Sequence, residues 1–159
     1  MHITYTHIPH ITWFPNLEVS CQYLPLAHQL TKVAYIPGAG DLVAQSLNQI
    51  GIPTTVLTDK NISAANLKQY DAVIVGVRHF NVNPLSNKVS KELLQYAKDG
   101  GTVLVQYHVN SKLQTDQLGP YAFNLSRTRV TEELAKVTFD KDDAALNYPN
   151  KISDTDFDN

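Results

Sequence analysis

From Lys32 onward the chain repeats one rhythm. A short apolar run bounded by Gly or Asp is followed by a stretch whose apolar residues recur every three to four positions. The first run, Val33-Ala34-Tyr35-Ile36, passes through the turn at residues 37–41 into a helical pattern with Leu42, Val43, Leu47 and Ile50 on one face, which Gly51 ends. Thr54 to Leu57 reads as a second strand, and Ser63 is placed to cap a short helix carrying Leu67. Asp71 precedes Ala72-Val73-Ile74-Val75-Gly76, an unbroken apolar run that predicts burial on both faces. The spacing next predicts a helix from about Ser86 to Lys98, with Val89, Leu93, Leu94 and Ala97 inward, stopped at Gly100-Gly101; Thr102 to Gln106 follows as another central strand. Strands alternating with helices in this way predict an α/β fold whose mostly parallel sheet is doubly wound, of flavodoxin-like type.

The flanks follow other patterns. Residues 1–31 alternate polar and apolar types and carry Pro9, Pro15 and Pro25, which suits an extended arm or the end of a preceding module, with the α/β domain occupying 32–159. After His108 the periodicity fades into a polar stretch, with a short strand expected at Lys136 to Phe139.

Composition narrows the function classes. Thirteen Lys and Arg against fifteen Asp and Glu, a net charge of -2 without blocks of like charge, argue against nucleic acid or anionic lipid as partners. A lone cysteine, Cys21, excludes an intrachain disulfide and a multi-cysteine zinc site, and reads as a small buried hydrophobe. No apolar run approaches the roughly 20 residues that span a bilayer. The N-terminus has neither the cationic start nor the apolar core of a signal peptide, so the default compartment is cytoplasmic, with a periplasmic or secreted location open to a longer parent protein.

In a sheet of this kind ligands bind outside the carboxyl ends of the strands. The residues placed there are Gly38, Gly40 and Asp41 after the first strand, Arg78, His79, Asn81 and Asn83 after the third, and Tyr107, His108 and Asn110 after the fourth. The turn Gly38-Ala39-Gly40 is not a dinucleotide fingerprint, since the position of the third glycine is Val43, and the Asp41 carboxylate would repel phosphate. Asp41 reads instead as an N-cap or first-turn acid of the following helix, worth about 1 kcal/mol. No Ser, Cys or Gly stands at the turn after the fourth strand, so the usual nucleophile elbow cannot be assembled there. His7 and His10 flank Pro9 in the arm and are poorly placed to converge on an ion; His79 with His108 would be the better pair, and no metal site or cofactor is expected. Residues 112–132 bring amide, hydroxyl and guanidinium groups beside Tyr121 and Phe123, a composition suited to sugar hydroxyls or a carboxylate and equally to a long surface loop.

The succession YIPGAGD, YDAVIVGVRHFN, DGGTVLVQYHVN and LQTDQLGPYAFNLSRTRVTEE, closing on NYPNKISDTDFDN, resembles the class I glutamine amidotransferase-like domain at the C-terminus of large bacterial PIG-L (LmbE-like) N-acetylglucosamine deacetylases. The resemblance covers about residues 30–159, with the arm similar to the segment leading into that domain, and it implies that the chain stops short of the domain's end. The deacetylase chemistry of that family belongs to a separate zinc domain with a His-Pro-Asp-Asp motif that this chain lacks, so its metal site transfers to no residue here. Where glutaminases of the superfamily carry a Cys, this chain has Tyr107-His108. A trehalose-utilisation-like branch of the superfamily has Gly-Gly, a strand and then a His, similar to Gly100-Gly101 through His108, and implies a sugar-related role. The resemblance thus implies a non-catalytic accessory or ligand-binding domain, with a sugar or amino-sugar ligand and an adjacent deacetylase module as partners. Two alternatives stand beside it. One is a sugar-directed hydrolase with His108 as general base and Arg78 as an anion clamp; the other is a purely structural module that packs on a partner through the apolar arm around Trp13 and Phe14.

Overall fold

The computed structural model describes residues 2–14, 16–19 and 25–157, so Cys21 lies outside the described residues. Two short strands, β1 (His2–Ile3) and β2 (Ile11–Thr12), pair antiparallel, so the arm begins as a small hairpin rather than a single extended run. The α/β region then supplies β3 (Val33–Ile36), α1 (Val43–Gln49), β4 (Thr54–Val56), α2 (Ala64–Leu67), β5 (Ala72–Val75), α3 (His79–Val82), α4 (Ser86–Lys98) and β6 (Thr102–Val105). β3 to β6 form one all-parallel sheet in the order β4-β3-β5-β6. That order is compatible with a flavodoxin-like fold: the chain starts at β3, steps one way to β4, then crosses back to β5 and on to β6.

The direction of those steps decides where the helices go. Because parallel crossovers are right-handed, the leftward step through α1 puts that helix on one face, and the rightward steps through α2 and α4 put them on the other. The α2/α4 face is the core. Ala34, Ile36, Val73 and Val75 point into it and meet Leu67, Val89, Leu93 and Tyr96, all buried. The opposite face is only partly covered: α1 has no buried residue, and Leu104, in register with Ile74, is 56% exposed. The unbroken apolar run of β5 is therefore fully buried at Val73 and Val75 but only half-buried at Ala72 and Ile74, which corrects the expectation of burial on both faces. Only β3, fully buried at all four positions, behaves as a strand covered on both sides.

Helix ends follow from local chemistry. Ser63 caps α2, its hydroxyl accepting from the Asn66 amide at 3.2 Å. α1 and α4 each close on a Schellman motif: the amides of Gly51 and Ile52 donate to Asn48 and Leu47, and those of Gly100 and Gly101 to Ala97 and Tyr96. Gly51 and Gly100 have φ of 87° and 98°, a left-handed backbone that any side chain would strain. On α4 the buried side chains are Ser86, Val89, Ser90, Leu93 and Tyr96, with Leu94 and Ala97 at the margin. Tyr96 donates its hydroxyl to the Tyr70 carbonyl at 2.9 Å, and its ring fills the space that a Cβ at Gly101 would need.

Beyond β6 the chain forms no further strand among the described residues. The strand expected at Lys136 to Phe139 is absent; that stretch is irregular and Val137 is 42% exposed. A stretch of strand composition becomes a strand only when it pairs with an edge, and this one instead lies near Phe157, with the Phe139 and Phe157 rings 5.4 Å apart. The two flanks are tied to the domain and to each other. The Asp71 carboxylate accepts from the amides of Thr31 and Lys32 and from the Thr31 hydroxyl, and the Asn150 side chain exchanges two hydrogen bonds with the Ala27 backbone, both 2.8 Å. Among the described residues no helix is long and apolar enough to cross a membrane.

Candidate functional site at the strand ends

The carboxyl ends of β3, β5 and β6 meet in one polar cluster, built on a close approach of two turns. Gly76 donates its amide to the Ile36 carbonyl and Ala39 donates to the Val77 carbonyl, at 2.8 and 2.7 Å. A Cβ on Gly38 would collide with the Val77 carbonyl oxygen, and one on Gly76 with the Tyr35 hydroxyl, so both glycines are there to let backbones touch. Gly40, at φ 112°, has open space around it.

Asp41 locks this crossing. Its two oxygens accept from the amides of Val43 and Val77 at 3.0 and 3.2 Å, and the Tyr35 hydroxyl donates to it as well. Burial would push the carboxyl up, but the bonds from Tyr35, Val43 and Val77 outweigh it and hold Asp41 below the ordinary carboxylate range. Tyr35 is pushed well above its usual value by burial and by the neighbouring Asp41 charge. The N-cap of α1 is Leu42, so Asp41 serves the helix from one residue further out than the sequence suggests. It also spends on the protein itself the Val43 and Val77 amides that an anion would use.

The side chains after β5 and β6 divide by direction. His79, Asn81 and His108 turn inward and are buried. His108 accepts from the Phe80 amide at Nε2 (3.0 Å), so Nδ1 carries the proton and donates to the Gln106 carbonyl (2.6 Å). His79 donates from Nδ1 to the Pro37 carbonyl (2.6 Å). Its Nε2 faces the amide nitrogen of Asn83, whose orientation is set because its oxygen accepts from the Leu85 amide and its nitrogen also donates to Asp59. Burial lowers the proton affinity of both histidines below the usual imidazole value, against the opposing pull of the Pro37 and Gln106 carbonyls. Asn81 donates to the carbonyls of Val109 and Ser111 and accepts from the Val109 amide. Gln106 Oε1 is buried and has no hydrogen-bond partner among the described residues.

Arg78, Tyr107 and Asn110 turn outward and are exposed. Arg78 donates its amide to the Tyr107 carbonyl at 2.8 Å, which makes the two residues neighbours across the strand ends. Arg78 also has φ 57°, a left-handed backbone that is rare outside glycine and marks a position worth weighing for function.

The sequence places ten residues at the strand ends, but it does not sort them into a buried set and an exposed one. It also misses α3, whose four residues carry His79 and Asn81 inward; the signal available was the Asn83-Pro84 pair that stops it. Among the described residues no three His, Cys, Asp or Glu side chains gather as a metal would need. One cavity, of about 600 Å³, is lined by residues 133–137 together with Asp154 and Phe157. Another, of about 340 Å³, is formed by residues 116–124 within the loop carrying Tyr121 and Phe123. The chain matches no protein-family model, no curated protein and no solved structure.

Proposed function

We propose that this chain is a non-catalytic, ligand-binding accessory domain of class I glutamine amidotransferase-like type, working beside a PIG-L/LmbE-like carbohydrate deacetylase, and that it takes a sugar or amino sugar at the strand ends. The observation carrying this reading is the hydrogen bonding of His108. With Nε2 accepting from Phe80 and Nδ1 donating to Gln106, the imidazole has no nitrogen left to take a proton from a substrate. The outward set offers what binding needs: a guanidinium, a phenol ring and an amide, a combination that pairs with hydroxyls and stacks on a sugar face. The resemblance of the glycine turns and strands to that domain, and a sheet order compatible with its fold, support the family.

The hydrolase alternative would require His108 to exchange its Phe80 bond for substrate. The structural alternative has its own support in the arm, where Phe14, Leu17 and Val19 are 83%, 88% and 69% exposed. A thermal-shift screen against sugars, amino sugars, nucleotides and divalent metals separates the three. Stabilisation by a sugar, lost in Arg78→Ala and unaccompanied by turnover, is the expected result. Turnover that His108→Ala abolishes would move the reading to the hydrolase, and a cooperative melt that nothing shifts would move it to the structural module.

A further inference from the structure

We propose that His108 is an acid-sensitive latch: protonation of its Nε2 takes away the acceptor of the Phe80 amide and releases the return segment, residues 107–118, from α3 and α4. This goes beyond the ligand-binding reading and stands whether or not a sugar binds.

The return segment has no regular structure and is held by a short set of bonds. Tyr107 accepts from the Arg78 amide, Asn81 grips Val109 and Ser111, the Gln114 amide donates to the Phe80 carbonyl, and the Ser90 hydroxyl donates to the Gln117 carbonyl. Leu113 and Leu118 add half-buried apolar contacts with the core, and Thr115 is buried. A segment of this kind, attached mainly through side chain–backbone bonds at one edge, is the sort of unit that opens before the sheet does.

His108 sits at the root of that segment and is 8% exposed. Its ring lies 4.9 Å from that of Phe80, and the His79 ring meets Phe80 edge-on at 5.4 Å. A second proton on His108 has one place to go, Nε2, where it would face the Phe80 N–H across 3.0 Å. Two donors then oppose each other in a buried space, and the bond is lost unless ring and amide part. Moving the ring away draws residues 107–109 with it, and Asn81 loses its grip in the same motion.

The charged groups around the pair set the direction. Asp59, in the turn after β4, reaches His79 through Asn83 and favours a charge there. A charge on His79 repels one on His108. Arg78 at the start of α3 and Lys112 on the return segment are exposed cations that water screens, and they add no stabilisation to an imidazolium. Burial disfavours the charged form of both rings, so the closed state binds fewer protons than the open one. Opening is therefore promoted as the pH falls below the ordinary histidine value of 6.5.

The test is hydrogen exchange of the full chain by NMR, between about pH 7.5 and about pH 5, with protection corrected for the intrinsic rate. Protection at Phe80, Val109 and Gln114 is expected to fall by at least about tenfold across that interval, and more steeply than at the sheet amides of β3 and β5, which follow global stability. His108→Gln, which keeps an acceptor and a donor but does not titrate, is expected to flatten the dependence. Unchanged protection in the natural sequence, or a dependence that survives His108→Gln, overturns the proposal. Should that variant not fold, the imidazole nitrogen shifts of the natural chain decide: His108 Nε2 must gain its proton over the interval in which the segment opens. Protonation with the Phe80 amide still protected overturns the latch, as does no protonation before global unfolding.

Discussion

Arg78 holds a backbone conformation that glycine would hold at less cost, and this separates stability from binding at one position. Arg78→Gly is expected to stabilise the fold by about 0.5–1 kcal/mol in urea unfolding, while removing any sugar-induced thermal shift. An arginine kept only for structure would lose stability instead. Asp41 has the opposite character. Asp41→Asn leaves one of its three donors poorly served and is expected to cost about 1–3 kcal/mol, measured the same way at neutral pH. Because its folded-state value is depressed, the Asp41 contribution is present above the ordinary carboxylate range and is lost as the pH falls through the folded value. Gly38→Ala is a harsher change, since the new methyl would meet a backbone oxygen that cannot swing away; a loss of about 2–4 kcal/mol is expected. The glycine and the acid were both legible in the turn after the first apolar run. Their partner, the Val77 loop, was not, because it lies about 36 residues away in sequence and is brought in only by the β3–β5 pairing.

Elements were legible where local chemistry alone decides them. The Ser63 cap, the stops at Gly51 and Gly100, and the four strands of the sheet each carry a signal within a few residues. What could not be read is what depends on a partner. The run at residues 136–139 has strand composition but pairs with no strand among the described residues, and residues 107–118 are ordered by Asn81 and Ser90 rather than by a periodicity of their own. Burial of the strands has the same origin: β5 and β6 look alike in sequence, yet the face under α4 is closed at Val73 and Val75 and only half-closed at Val103, with Val105 exposed. Val73→Ala is accordingly expected to cost about 2–3 kcal/mol, and Leu104→Ala, on the open face, less than about 1 kcal/mol, in paired urea titrations. Equal losses would mean that something covers Leu104 in solution.

At the scale of the whole molecule the two buried imidazoles set an acid limit. Both have folded-state values below 6.5, so their neutral forms stabilise the fold. That stability is complete above about pH 6.5 and drains away as the pH falls toward the folded values, where the unfolded chain takes up the protons. The melting temperature is expected to drop between about pH 7.5 and about pH 5, by about 2–4 °C for each kcal/mol lost. The drop should shrink in His108→Gln. Sheet order carries one more consequence. β3 is made before both of its neighbours, β4 and β5, and lies between them. On the ribosome it must therefore wait: until residue 75 has emerged, its apolar side chains have only β4 beside them. The interval between synthesis of Ile36 and of Val75 is thus when a nascent chain offers a holding chaperone its best target, and a pause placed there would lengthen that exposure.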